Sequence, residues 1–244
     1  MKAKLKFVAL AGVAIASLAL VTGGALFSRV QAQEPSHAAA PEALPPDIDP
    51  SSHYRLPIPK REDMTSDEDR KAYDELTKDR RPVLWLYSPH LAKIMEEAHH
   101  YVRFETGLDQ RLTTIAVLTT ARAMNSQVEW TEWEEQARPG KPGAVEPAII
   151  DIIKYCKPVV GLGPKETLII NYGRELFGSD HGVSSPTFAQ SLQLFGKRGT
   201  VDLTDLMGLY QVTITELKAY DAHLHTGQKP LLPPLESTPN CRRA

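Results

Sequence analysis

The chain has 244 residues, of which 42% are hydrophobic and 24% are charged, and its formal net charge is −2 at pH 7. A chain of this length and composition can bury one proper core. Because Lys and Arg do not outnumber Asp and Glu, the composition argues against a nucleic-acid partner, which needs clustered positive charge.

Residues 1–32 have the pattern of a secretory signal peptide. Three lysines within the first six residues precede an apolar run over positions 7–21, and Val30 and Ala32 stand where a signal peptidase reads small or apolar side chains. The alternative is an uncleaved membrane anchor in which the apolar run extends to Phe27. Cleavage after Ala32 leaves 24 basic and 30 acidic residues. We therefore expect an exported protein, periplasmic or secreted, with a net charge of about −6 and no membrane contact after cleavage.

Two segments rich in proline flank the rest of the chain. Residues 33–59 are rich in Pro, Ala and Ser and poor in aromatic residues, so we predict a disordered linker there. Residues 230–244 have a similar composition, which predicts a flexible C-terminal tail. The folded domain is thus predicted over residues 60–229.

Every strong segment of that domain has helical periodicity, and no stretch alternates with period two. A capping-box pattern at Thr65–Glu68 begins the first helix, and Ser88-Pro89 begins the second. Apolar residues cover most of the helix predicted at Arg111–Met124, so we expect it to be buried. The later helices are predicted at Val128–Ala137, Glu146–Tyr155, Lys165–Phe177, from Ser185 to a break at Gly196 and Gly199, and from Thr200 or Asp202 to Tyr220. The predicted fold class is all-α.

The chain has two cysteines, Cys156 and Cys241, which are too far apart in sequence to form a C-x-x-C redox pair. In an oxidising compartment they can form a disulfide. The alternative is that Cys156 is a small hydrophobic residue on a helix and Cys241 a thiol in the tail. Both possibilities stay open at the level of sequence, because pairing depends on the distance between the two residues.

Several titratable residues are candidates for chemistry. His99 lies on the second predicted helix together with Arg103, and it is a candidate proton carrier or simply a solvated or core histidine. A metal site would need two histidines four residues apart with a third ligand, and we see no such pattern, so no metal or other cofactor is predicted. The acidic run of residues 129, 132, 134 and 135 is most simply a solvated helix face.

The segment Gln127–Glu134, together with its surroundings, resembles the carboxymuconolactone decarboxylase family. Glu129-Trp130 matches the first half of that family's E-W-x-x-H signature, and Trp133 stands at the histidine position. Further similar segments, in the same order and spacing, are Arg55–Met64, Ser88–Leu91, Tyr101–Thr106, Thr120–Gln127 and Phe195–Leu203. The resemblance implies an alkylhydroperoxidase-like helical domain that assembles into trimers or hexamers.

The resemblance also implies a site. Glu129 takes the place of the proton-transferring glutamate, with Arg122 and His99 as further candidate catalytic residues. Arg103, Trp130 and Trp133 are candidates for binding a small anionic substrate. Trp133 has no basic nitrogen, so it cannot replace the proton-shuttling histidine. An equally simple reading makes Glu129 a structural carboxylate paired with Arg122 or Arg103.

Three functions follow as expectations. The first is a cofactor-free lyase that acts on a small carboxylated lactone-type substrate by Glu-mediated proton transfer. The second is a non-catalytic oligomeric binding or scaffold protein with the same fold. The third, a peroxidase of the peroxiredoxin type, comes from the resemblance alone, because the C-x-x-C pair that such relatives use is missing.

Overall fold

The computed structural model describes residues 44–78, 84–179 and 182–238. The predicted signal peptide, the predicted linker up to residue 43 and Cys241 lie outside these ranges. The described residues form seven α-helices and no strand, so the all-α prediction is confirmed. None of these helices is both long enough and apolar enough to cross a lipid bilayer.

The α-helices run in chain order as α1 (Asp67–Thr77), α2 (Pro89–Phe104), α3 (Gln110–Ala123), α4 (Gln127–Gln136), α5 (Pro147–Lys154), α6 (Pro164–Leu176) and α7 (Ser185–Ala219). Short 3-10 helices occur at Arg61–Asp63, Leu84–Tyr87 and Leu235–Ser237. The first cap is shifted by one residue from the prediction, because Ser66, and not Thr65, accepts a hydrogen bond from the backbone of Asp69 at 3.0 Å.

Helix α3 is the centre of the fold, as its apolar circumference predicted. All residues from Leu112 to Arg122 are buried, and the helix contacts α4, α5, α6 and α7. Asp109 caps its start by accepting a hydrogen bond from the backbone N–H of Leu112 at 2.8 Å. The helix also buries threonines, and three of them, Thr114, Thr119 and Thr120, donate their hydroxyls to the carbonyl four residues earlier.

Helix α7 is broken where the sequence predicted a break. Gly196 has φ 69° and ψ −178°, which interrupts the helical backbone and suits a residue without Cβ. The helix resumes directly after Gly196, whereas the prediction placed its restart at Thr200 or Asp202. Its second half packs Leu203, Leu206 and Ile214 into the core, each with no exposed surface.

The structure differs from the prediction of a disordered linker at residues 44–59. These residues form turns in which Ser52 is 1% and His53 is 9% exposed. They pack on the chain's other end, with hydrogen bonds from Arg55 N to Tyr220 O at 2.8 Å and from His223 N to His53 O at 3.0 Å. The composition failed to predict this order because Ile48 is buried, with 6% of its surface exposed, and the backbone hydrogen bonds reach residues far along the chain.

The predicted flexible tail is also ordered over its first part. Leu232 is buried, and the carbonyl of Pro233 accepts a hydrogen bond from Arg122 at 3.0 Å. Cys156 is disulfide-bonded, and Cys241 is the other cysteine of the sequence. The leucines of this segment supply apolar surface that the proline-rich composition conceals.

Candidate functional site

Helix α4 carries two tryptophan–glutamate pairs that face different neighbours. The turn before it is tight, with Asn125 in the left-handed region at φ 49°. Trp133 and Glu129 are four residues apart and lie toward α2 and α7, while Trp130 and Glu134, also four apart, lie toward α5. The Trp130 indole donates a hydrogen bond to Glu134 at 2.5 Å, and the interaction with Trp133 lowers the pKa of Glu129.

Glu129 is enclosed by the protein, with 4% of its surface exposed. Burial raises the pKa of its carboxyl to about 8, and the nearby charge of Glu132 acts in the same direction. The hydrogen bond from Trp133 and the charge of Arg103 lower the pKa but are outweighed. No ion pair with an arginine within salt-bridge distance is formed by Glu129 among the described residues, so the structural pairing with Arg122 or Arg103 is not observed.

Arg103 lies next to this carboxyl without binding it. Its guanidinium stacks over the ring of Trp133, 5.2 Å from the centroid, and also contacts Phe104. Its Nε is buried and has no hydrogen-bond partner within the described part of the chain. A buried N–H of a cation without an acceptor is costly, and a bound anion would satisfy it.

Two tyrosines from distant parts of the chain complete the surroundings of Glu129. Tyr210 of α7 packs edge-on against Trp133, with ring centroids 5.3 Å apart. Burial raises the pKa of Tyr210, and so do the charges of Glu129 and Glu132. Burial, followed by the same two charges, raises the pKa of Tyr54 as well. Glu132 keeps an exposed surface, although the surrounding protein raises the pKa of its carboxyl too.

His99 packs against Tyr210 and so contacts the surroundings of Glu129 only indirectly. Its ring is 5.6 Å from that of Tyr210, and its two nitrogens bind Met95 O at 2.9 Å and the Thr213 hydroxyl at 3.1 Å. Burial lowers the pKa of His99, so the imidazole is neutral at neutral pH. Both nitrogens of His99 are thus engaged within the protein, and its ring contacts Tyr210.

The other two predicted site residues, Trp130 and Arg122, lie away from Glu129 and its neighbours. Trp130 is fully buried in the core, and its Nε1 donates to Glu134 at 2.5 Å, away from Glu129. Lys154 of α5 binds the same carboxylate at 2.6 Å. The acidic run is therefore not a simple solvated face, because Glu129 and Glu134 both point into the protein.

Arg122 binds the carbonyl of Pro233 at 3.0 Å and the side chain of Asn125 at 3.3 Å, and it lines a cavity with Arg174. It therefore has no contact with Glu129 of the kind predicted. The sequence pattern placed Arg122 near the motif only because the two helices are consecutive. At their junction, Arg122 and Glu129 point to different neighbours.

The sequence did not identify Tyr54, Glu132 or Tyr210 as site residues. Tyr54 lies in the segment predicted to be a linker, and Tyr210 has the spacing of a core residue. No group of three or more His, Cys, Asp or Glu side chains suited to a metal ion occurs in residues 44–78, 84–179 and 182–238. The sequence matches no protein-family model, and comparison with curated proteins finds no match.

Proposed function

We propose that this protein is a cofactor-free lyase of the carboxymuconolactone decarboxylase type, which acts on a small carboxylated lactone-type anion. The observation that carries the proposal is the enclosed Glu129, with a pKa of about 8, next to an arginine whose Nε has no partner. Strongly perturbed acids beside a free cation occur preferentially at functional sites. The alkylhydroperoxidase-like arrangement of the helices is part of the same proposal.

The pKa of Glu129 defines its role in such a reaction. A carboxyl with a pKa of about 8 is mostly protonated at neutral pH, so Glu129 serves as a proton donor. When the bond between the substrate carbon and its carboxylate breaks, CO₂ leaves and the electron pair stays on that carbon. Glu129 delivers its proton there and becomes a carboxylate, which takes a proton back from solvent by way of the exposed Glu132.

Arg103 supplies the counter-charge for the substrate. Its unsatisfied Nε–H can bind a second carboxylate or the lactone oxygen, and a charge-assisted bond of this kind is about twice as strong as a neutral one. Stacking on Trp133 fixes the plane of the guanidinium. Trp133 thus orients Arg103 and Glu129 at once, although it cannot carry a proton itself.

A non-catalytic scaffold is the second candidate, and the enclosure of Glu129 favours it. Neither of the cavities near Arg174 has Glu129 in its lining, so a substrate would have to enter beside Glu132. The peroxidase alternative lacks its reactive group, because the described cysteine, Cys156, is already disulfide-bonded.

Release of CO₂ from 4-carboxymuconolactone by the purified protein tests the proposal. Glu129→Gln keeps the shape of the protonated acid but cannot give up a proton, so turnover should be lost while the fold is kept. Activity of the unchanged protein should fall as the pH rises through about 8. Trp133→His, which restores the motif, should raise the rate. Absence of CO₂ release by both the unchanged protein and Trp133→His would favour the scaffold.

Homo-oligomer formation, as a trimer or hexamer, belongs to the same proposal. It is supported by exposed apolar side chains that follow one face of α2, with Leu91 46%, Ile94 50% and Phe104 51% exposed. Tyr101 extends the same row. Apolar rows of this kind are typical of surfaces that a second copy covers. Light scattering should give a multiple of the protomer mass, and Ile94→Asp should reduce it.

Export is proposed as well. The disulfide at Cys156 supports an oxidising compartment, in which such bonds persist. N-terminal sequencing of protein from the native host should give Gln33 as the first residue. A full-length chain in the membrane fraction would contradict it.

A further inference from the structure

A second polar site shares no residue with the surroundings of Glu129. A cavity of about 90 Å³ opens between α3, α6 and the C-terminal segment. Thr119 and Arg122 line it from α3, Arg174 lines it from α6, and Cys156 and Leu235 close it. The two guanidinium groups are the charged groups of this lining.

Arg122 is only 4% exposed, yet it binds neutral groups alone. Its Nη atoms donate to Pro233 O and to Asn125 Oδ1, and its Nε has no partner. Arg174 is half-buried and also donates to neutral carbonyls, those of Lys157 at 3.0 Å and Ile152 at 2.9 Å. Neither arginine forms a salt bridge with a carboxylate of the described residues.

Two buried cations without a counter-charge are unfavourable. Desolvation lowers the pKa of both Arg122 and Arg174, and no neighbouring acid opposes it. Other buried cations of this protein are compensated, since Lys154 has Glu134 and Arg111 has Glu146 and Glu166. Buried charges are normally paired, so Arg122 and Arg174 need an anion that the described residues do not supply.

We propose that the cavity between Arg122 and Arg174 binds a small oxyanion. The free Nε–H of Arg122 supplies one donor, and the planar guanidinium groups match the oxygens of phosphate, sulfate or a carboxylate. A cavity of this measure needs only about 10–15 Å³ to hold one water molecule, so it has room for an ion of this size. Arg174 also lines a wider neighbouring cavity, of about 470 Å³, formed with Asn171 and Glu175. This site is independent of the lyase proposal.

Inorganic phosphate, sulfate and acetate are the probes, each titrated into the full, oxidised chain by calorimetry at constant ionic strength set with NaCl. At least one of them should bind with one ion per chain. Arg174→Gln should weaken that binding at least tenfold, because it removes one cation while leaving the fully buried Arg122 in place. Arg122→Met should weaken it further.

Arg111→Gln is the matched control. Arg111 is on the same helix as Arg122 and carries the same charge, but two glutamates bind it and it is not in the cavity lining. The Arg111→Gln variant should bind the ion with the same affinity as the unchanged chain. Failure of all three ions to bind the unchanged chain would overturn the proposal, as would equal weakening by Arg111→Gln and Arg174→Gln. If Arg122→Met does not fold, Arg174→Gln and Arg111→Gln decide the question.

Discussion

The two tryptophan–glutamate pairs of α4 use the same contact and have opposite electrostatic surroundings. Trp130 donates to Glu134, and Lys154 binds that carboxylate at 2.6 Å, with side-chain exposures of 12% and 18% for the two charges. The interaction with Trp133 lowers the pKa of Glu129, but there the cation, Arg103, acts only through space. Neither opposes burial enough to keep that pKa low, whereas Glu134 has a cation, Lys154, in direct contact.

The largest effect should come from removing that cation. Lys154→Met leaves the half-buried Glu134 with only the indole bond, and breaking a buried pair in this way should lower the free energy of unfolding by about 2–4 kcal/mol. Urea unfolding at neutral pH measures it. Lys157→Met is the control, since the Lys157–Asp151 pair is exposed, at 47% and 51%, and should contribute less than about 1 kcal/mol. Equal losses in the two variants would show that Lys154 has no special role.

The second largest expected effect is a pH dependence of stability, caused by the titration of Glu129. The folded chain holds this proton up to a pKa of about 8, against 4.5 for the ordinary group. Between these two pH values the unfolded chain has lost the proton that the folded chain keeps, so stability falls as pH rises and levels off above about 8. Glu129→Gln cannot titrate and should remove this slope.

At about pH 9 the Glu129→Gln variant should therefore be more stable than the unchanged protein by about 2 kcal/mol, with little difference near about pH 5. Melting temperatures across this range measure the difference, at about 2–4 °C for each kcal/mol. The exposed Glu135, changed to Gln, should leave the slope as it is. A slope that survives Glu129→Gln would assign it to another group.

The smallest effect concerns the indole N–H itself. Trp133→Phe keeps the ring against Tyr210 but removes the bond that stabilises the charged form of Glu129. The pKa of Glu129 should rise further, and the variant should lose about 1 kcal/mol above about pH 8 and less in acid. Thermal melting at both pH values tests this. A loss that does not depend on pH would point to packing instead.

The sequence predicted the helices well where packing decides them. The apolar circumference of Arg111–Met124 correctly indicated a central helix, and the glycine at position 196 correctly indicated a break. The central helix and the break are local features, since each depends on residues within a few turns of one another. Of the predicted site residues, Arg103 and Trp133 lie beside Glu129.

The sequence failed where the partner comes from far along the chain. Nothing near Glu134 predicts Lys154, and nothing near Glu129 predicts Tyr54 or Tyr210. Reading the acidic run as solvated was wrong for Glu129 and Glu134, because helical spacing specifies which residues share a face but not what covers it. Likewise, Arg122 is one turn from the motif in sequence, while its carbonyl partner is Pro233, 111 residues away.

The hydrogen bonds between residues 53–55 and 220–223 have a consequence for the order of folding. They join the two ends of the helical body across more than 160 residues. A contact with so large a sequence separation closes a long loop and forms late. During synthesis these bonds can therefore form only after α7 has left the ribosome, and a chain truncated before residue 220 lacks the partners of His53 and Arg55. Tyr54, held in that segment, joins Glu129 only when the chain is complete.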